Sequence, residues 1–586
     1  MSFGAQAQVA STPRPIVEEQ RQQERERALR EQQESTVDAR LPRQQTTESQ
    51  RLPDAETPCF RIDRVVLSGE RSDEFQWALA AIDGERGDDS PIGRCLGTEG
   101  ANIVLARVQQ AVIESGYVTT RVLADSQDLT RGVLTLTLIP GRIAAIRFDG
   151  EATPTSLRTA IPARANELLN LRDIEQGLEN LKRVPTAEAD IQIEPSTAPN
   201  AQPGDSDLVV KYAQTRQVRA SLSLDDSGTE ATGRYQAGAT ASVDNPFGLN
   251  DLFYVSAHHS IDGHWFGSAD KGTAGQIVHY SVPYGDWLFS ATASQNDYHQ
   301  NVAGAFQNYV YGGESSNAGT SISRLLYRDQ HRKTIASVRA FRRSSHNFID
   351  DTEIEVQRRV VGGWELGLSH REFIGPATLD GNLVYRRGTG AFGAIPAPEE
   401  PFGEGTSRMR IITADLGVNL PFQLGYQKLR YSGLWRAQWS RTPLTPQDMF
   451  SIDGRFTVRG FDGESSLMGD RGWLVRNDVG WALGASGAEF YAGIDYGEVG
   501  GLFVDQLIGS HLAGGVVGIR GVVQGLSYDF FVGAPISKTA TQAEDVPAAP
   551  SAPRSARRRR FSTTAIGLPK TSCSMAFGRT PRSSPP

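Results

Sequence analysis

At 586 residues the chain is too long for one ordinary domain. It carries 60 glycines, 8% aromatic residues and a formal net charge of -8, which suits a large β structure and gives no basic footprint for nucleic acid. Mean hydropathy is -0.37 and no apolar run reaches the ~18 residues of a membrane helix, which excludes a helical membrane protein but not a β-barrel, whose alternating strands average to a polar composition.

Residues 1–15 have no basic start and no apolar core. Ala5-Gln6-Ala7 has the small-x-small form of a cleavage site, so this stretch reads as the remnant of a signal peptide whose start lies upstream. Residues 16–35 (Val17-Glu18-Glu19-Gln20-Arg21 onward) are strong helix formers with almost no apolar face. Such a helix is either a solvated linker or sits in a wet polar cavity. Residues 36–58 read as a polar, proline-containing linker.

Residues 59–140 form a compact α/β module. Strands are expected at Phe60 to Leu67, Tyr117 to Val122 and Gly132 to Leu138, and a helix at Asn102 to Ser115, closed by Gly116. The pattern recurs over 141–213, with a strand at Arg142 to Phe148, a helix at Leu171 to Lys182 and strands near Ala189 and Ser206, which indicates a repeat. Cys59 and Cys95 bracket the first module. They are compatible with a disulfide, which would place them outside the cytosol, or with two buried thiols.

From 214 to 537 the texture is long alternation. Ile412, Ala414, Leu416, Val418 and Leu420 oppose Thr413, Asp415, Gly417 and Asn419, and Leu429, Tyr431, Trp435 and Trp439 oppose Arg430, Ser432, Arg436 and Ser440. Such faces are too long for a sandwich, whose strands average about five or six residues, and they suit a transmembrane barrel of about sixteen strands with an aqueous lumen. Residues 538–586 are Ala/Pro-rich with a basic run at Arg557 to Arg560, and read as disordered.

Within the barrel region, Val458-Arg459-Gly460-Phe461 places a rigid fork of donors beside a residue that turns tightly. Downstream, Phe490, Ala492, Ile494 and Tyr496 share one strand face and Asp495 points the other way. If the apolar face meets lipid, Asp495 faces the lumen, where a folded-in loop can deliver Arg459 to it. Gly388 to Gly393 matches G-x-G-x-x-G, but Pro396 and Pro398 follow rather than a helix, so it is no dinucleotide site. His258 and His259 point to opposite faces of a strand, with no third ligand. No metal site, cofactor site or nucleophile–base constellation is evident, so no enzyme is expected.

Together these parts resemble the outer-membrane transporters of two-partner secretion, the ShlB/FhaC/HecB hemolysin secretion/activation family, over roughly residues 16 to 537. The likeness is carried by Cys59-Phe60, Cys95-Leu96, Gly116-Tyr117-Val118, the hairpin that follows, and above all Val458 to Phe461 with Gly472-Trp473 to Asp478. It implies a transmembrane antiparallel β-barrel of about 16 strands, preceded by two small α/β POTRA domains (59–140 and 141–213) and a plug helix (16–35). It also implies a Cys59–Cys95 pair in the first POTRA domain, and a loop whose Arg459 pairs with Asp495 inside the barrel. The expected partners are a secreted TpsA-type exoprotein, outer-membrane lipid and the barrel assembly machinery, without nucleic acid. The expected site is the outer membrane of a Gram-negative bacterium, with the POTRA domains periplasmic. The expected work is export of the exoprotein, unfolded and without nucleotide hydrolysis. A BamA-like assembly factor is the alternative, and a passive porin would not need the amino-terminal domains. The family's last strand, with its terminal aromatic, does not follow Gly533 to Lys538, which points to a frameshift near Lys538 that also accounts for Cys573.

Overall fold

The computed structural model describes residues 14–34, 38–41, 51–150, 155–261, 271–304, 306–461, 463, 466–484, 486–507, 509–523, 526–537 and, as backbone, 570–578. The signal-peptide remnant falls almost wholly outside these residues, as do the arginine run and most of the tail.

Two units of like topology come first. In the first, β1 (Arg64–Gly69) runs parallel to β3 (Val133–Ile139), which pairs on its other side with β2 (Arg121–Leu123). Helix α2 (Thr98–Glu114) covers the sheet through Ile103, Val104, Val108 and Val112, packed on Leu134, Leu136 and Phe75. The strand expected from Phe60 to Leu67 is broken, because Ile62 turns fully into this core. Its first piece pairs with Cys95–Leu96, where Cys59 and Cys95 are bonded across a Cα separation of 5.3 Å. The strand expected from Tyr117 shrinks to Arg121–Leu123, since Tyr117 packs edge-on against Phe75 with ring centroids 4.8 Å apart. In the second unit, β4 (Arg142–Phe148) is parallel to β6 (Asp205–Gln214), flanked antiparallel by β5 (Ala187–Pro195), with α3 (Leu171–Leu181) over them.

Sixteen strands then close a barrel: β7 (Val218–Asp225), β8 (Gln236–Asp244), β9 (Leu252–Ser260), β10 (Lys271–Tyr284), β11 (Trp287–Ala303), β12 (Asn308–Arg328), β13 (Arg332–Ile349), β14 (Arg359–Ile374), β15 (Ala377–Thr389), β16 (Arg410–Leu424), β17 (Gln427–Ser440), β18 (Arg471–Ala482), β19 (Ala488–Gly500), β20 (His511–Val523), β21 (Leu526–Ser537) and β22 (Lys570–Gly578). The alternation decides which side is lipid. Leu366, Leu416, Trp439 and Ile494 are exposed on the outside, while Arg436 Nε donates to Asp415 Oδ1 at 2.8 Å on the inside. No described helix is long and apolar enough to span a membrane.

The last strand corrects the expectation of a disordered tail. Lys570–Gly578 pairs with β21 (Phe530↔Cys573) and with β7 (Leu224↔Met575), completing the cylinder. Without it, β7 and β21 would each leave a row of unpaired backbone groups in hydrocarbon, at several kcal/mol per group. Cys573, Met575 and Phe577 alternate with Ser572, Ser574 and Ala576, a nine-residue pattern masked by the composition of the surrounding tail.

Helix α1 (Arg14–Gln33) lies inside the barrel, beginning two residues earlier than expected. Glu24 accepts from Arg436 of β17 at 2.8 Å and Glu19 pairs with Arg343 of β13 at 3.3 Å. Thr232 donates to Glu18 at 2.6 Å, and Gln33 accepts from Ser242 of β8 at 2.7 Å. A helix polar all round fits because the wall around it is polar. Its carboxyl end meets the second unit, where Arg183 donates to Glu34 at 2.8 Å. That unit docks on the short-turn end of the barrel. Arg328 reaches Glu179 at 2.8 Å, Glu175 at 3.2 Å and the carbonyl of Ala39 at 2.7 Å.

Candidate functional site

The 441–470 segment between β17 and β18 folds back into the lumen. A small hairpin, Phe450–Ile452 against Leu467–Gly469, gives it its own frame. Phe450, Ile452 and Val458 bury themselves against Leu474 of β18, Val499 of β19 and Leu512 of β20, an apolar patch on an otherwise polar inner wall, with Phe461 partly buried beside it. Arg455 anchors the far side by donating to Asp226 at 2.7 Å.

This frame sets Arg459, only 3% exposed, against the wall. Its Nε donates to Asp495 Oδ2 at 2.7 Å and its Nη2 to Asp495 Oδ1 at 2.8 Å, the two parallel bonds of a fork on a carboxylate. Its backbone N–H also donates to Asp495 Oδ2, at 2.9 Å. Nη2 further donates to Asp478 Oδ1 at 2.5 Å and Nη1 to Asp478 Oδ2 at 3.3 Å. Two more cations stand by. Arg476 Nε lies 4.0 Å from Asp495, while its Nη1 donates to the loop carbonyls of Phe456 (3.3 Å) and Arg455 (3.4 Å). Arg520 lies 3.6 Å from Asp478 and 2.6 Å from Glu489.

Glycines make room for the loop. Gly460 has φ 108°, and a Cβ there would come within 2.6 Å of the carbonyl oxygen of Ala534 on β21. On the wall, a Cβ at Gly514 would strike the carbonyl oxygen of Arg459, one at Gly493 would strike Asp478, and one at Gly533 would lie 2.8 Å from the nitrogen of Gly460. The loop tip therefore touches two adjacent strands, β20 and β21, through bare backbone, while Gly493 on β19 leaves room for the Asp478 carboxylate and the Arg459 guanidinium.

The structure places Arg459 on Asp495, with Val458, Gly460 and Phe461 packed beside them. Asp478 was not foreseen as a partner. Its signal lay in the motif's own alternation, since Trp473 is exposed on the outside and Leu474 is buried within, so Arg476 and Asp478 also face inward. Toward the docked unit, a cavity of about 630 Å³ lined by Arg430, Glu489, Arg520 and Asp529 lies open below the lock. His258 and His259 sit on β9 opposite Gly275 and Ala274, and among the described residues no three His, Cys, Asp or Glu side chains group to hold a metal.

Comparison with known proteins places this architecture. Residues 204–521 match the family described as haemolysin secretion/activation protein ShlB/FhaC/HecB, residues 60–141 match the ShlB-type POTRA domain, and residues 142–195 match a POTRA domain. The outer membrane transporter CdiB-2 of Burkholderia pseudomallei (strain 1026b) is 34% identical over 564 residues, covering 92% of this chain and 94% of that protein. The hemolysin transporter protein ShlB of Serratia marcescens is 25% identical, covering 69% of this chain and 71% of that one. The structure of CdiB from Acinetobacter baumannii superposes with a TM-score of 0.79 at 27% identity, over 97% of this chain and 98% of that one. The chain belongs to the ShlB/FhaC/HecB haemolysin secretion/activation family, as an outer-membrane transporter of two-partner secretion whose POTRA domains stand in the periplasm.

Proposed function

We propose that this transporter captures a secreted partner exoprotein in the periplasm and passes it, unfolded and without nucleotide hydrolysis, through the lumen to the cell surface. The lumen carries the reading. A sixteen-strand barrel is wide enough for an aqueous channel, and this one is filled by two removable segments, α1 and the 441–470 loop. The helix is seated by polar contacts that leave Arg25 Nη2 and Gln20 Oε1 buried without a hydrogen-bond partner, a seat suited to leaving. Helix α1 is the plug of the resting pore, and Arg459 with Asp478 and Asp495 sets the position of the loop. The POTRA sheets have open edges at β2 and β5 where an extended chain can add a strand.

Among its relatives, those at 34% and 29% identity are named CdiB and those at 25% and 24% are hemolysin transporters, so the cargo is taken to be of the CdiB class rather than a hemolysin. The test is export of the exoprotein encoded beside this gene, in cells carrying the transporter or an empty vector. Equal surface display in both would overturn the proposal. A filled lumen and, among the described residues, two POTRA units set the chain apart from an assembly factor that inserts other barrels.

A further inference from the structure

Outside the lumen, four arginines form a row at the extracellular rim. Arg387 ends the outward series of β15 after Leu383 and Tyr385. Arg410 opens that of β16 before Ile412, Arg441 follows Trp439 of β17, and Arg471 precedes Trp473 of β18. On β16 the outward apolar series runs from Ile412 to Phe422, a span of ten residue steps, which at about 3.3 Å per step and a tilt near 40° covers the ~25 Å hydrocarbon belt. The arginines therefore stand at the first outward position beyond the belt, where lipid headgroups begin.

Single rim arginines that snorkel to an interface are common. This row differs in register. Arg387 is the direct cross-strand neighbour of Arg410, and the Arg441 amide donates to the Arg410 carbonyl at 3.3 Å, so three like charges stand side by side on adjacent strands. Like charges directly opposite one another destabilise a sheet. Yet among the described residues no carboxylate is ion-paired with any of the four, while Arg386, the inward neighbour of Arg387, is paired with Glu365. Arg471 leans over Gly500, where a Cβ would lie 3.1 Å from its Nε. Beside it a groove of about 540 Å³ opens on the outer face, lined by Trp435, Ala437, Trp439 and Trp473, with one carboxylate, Glu498, opposite Trp473. Elsewhere on the rim the sign reverses, with Asp297 opposite Glu314 across β11 and β12.

We propose that this row is a binding site for the phosphorylated glycolipid of the outer leaflet, lipopolysaccharide. Its phosphates neutralise Arg387, Arg410, Arg441 and Arg471, and an acyl chain lies in the tryptophan groove. Arg441 and Arg471 are also the two roots of the loop that carries Arg459, so a bound glycolipid braces that loop from outside.

The test uses the full-length protein in detergent, with native mass spectrometry to count bound lipid. The probes are bisphosphorylated deep-rough lipopolysaccharide, the same glycolipid after phosphatase treatment, and phosphatidylglycerol. Wild type retains the bisphosphorylated form, and the Arg410→Gln/Arg441→Gln variant binds it roughly 30-fold more weakly, as expected for two arginines near a charged surface. The phosphatase-treated form binds wild type as weakly, and Arg410→Lys/Arg441→Lys keeps most of the affinity. Heat-modifiable gel mobility reports that each barrel is folded, and Arg410→Gln alone carries the same readout where the double variant is not. Undiminished binding by a folded glutamine variant, equal binding of the dephosphorylated probe, or displacement by equimolar phosphatidylglycerol would each overturn the assignment.

Discussion

Asp478 holds Arg459 as closely as Asp495 does, at 2.5 Å against 2.7 Å, from the neighbouring strand. One guanidinium thus bridges two carboxylates on β18 and β19, and the loop tip is fixed to two strands at once. Breaking a dry buried pair by removing one partner costs about 3–5 kcal/mol. Here Arg476 and Arg520 stay within 4.0 Å of the same carboxylates, so the cost is smaller. Arg459→Ala is expected to leave a folded, heat-modifiable barrel, less stable by about 1–3 kcal/mol, with sharply reduced export at matched membrane levels. Arg459→Lys recovers part of the export, since a point charge lacks the fork. Asp495→Ala is more damaging than Asp478→Ala, because Asp495 also accepts the Arg459 backbone N–H. Normal export by Arg459→Ala would remove the loop from the mechanism.

The glycine seat is tested separately from charge. Gly514→Val puts a side chain where the Arg459 carbonyl now lies, while every charged partner remains. The loop should be forced out of the lumen and become cleavable by added protease in intact cells, with the barrel still folded. Protection equal to wild type would show that the loop does not depend on this seat.

Deleting residues 14–33 should raise ion conductance across planar bilayers, since α1 no longer fills the lumen, while export persists because the helix must vacate the path in any case. Conductance unchanged from wild type would exclude α1 as the resting plug.

The Cys59–Cys95 bond closes a loop across a sequence separation of 36. On the chain-entropy account, removing it lowers the stability of the first POTRA domain by about 4 kcal/mol. Cys59→Ser/Cys95→Ser compared with wild type, with and without reductant, in denaturant melts of the full-length protein checks this. Identical midpoints would refute it.

In the second POTRA domain, burial, with Asp286 and Glu167 nearby, pushes the Asp173 carboxyl up to about 6. A carboxyl raised in the folded state costs stability while ionised, and the cost is relieved as pH falls from above 6 toward its ordinary value of 3.8. The domain's melting temperature, relative to Asp173→Asn, should therefore rise as pH drops from 7 to 5. Parallel profiles for the two proteins would count against it.

The barrel was legible because alternation is local. Each of Ile412, Leu416 and Trp439 declares its face by parity, and the length of such alternating stretches points to the class. Strand parity pointed Asp495 into a lumen and so allowed a contact with Arg459, but no periodicity brings a loop to a strand 36 residues on, and the pairing itself came from the resemblance. Asp478 escaped because its contact depends on Gly493 standing opposite it, a matter of register between strands that single-strand patterns do not reveal. The closing strand Lys570–Gly578 escaped because its partner β7 begins some 350 residues earlier, and only the completed ring shows two edges in need of it.

Gly514 and Gly533 together form a keyway cut for bare backbone. What it recognises in the loop is the path of the main chain at Arg459 and Gly460, and beyond those two residues almost nothing of side-chain identity. Such a fitting either seats fully or not at all, because a displacement of an ångström sets carbonyl against carbonyl. The loop is thus a two-position catch rather than a spring, and the hairpin above it is free to differ in sequence so long as it delivers that short stretch of chain to the slot.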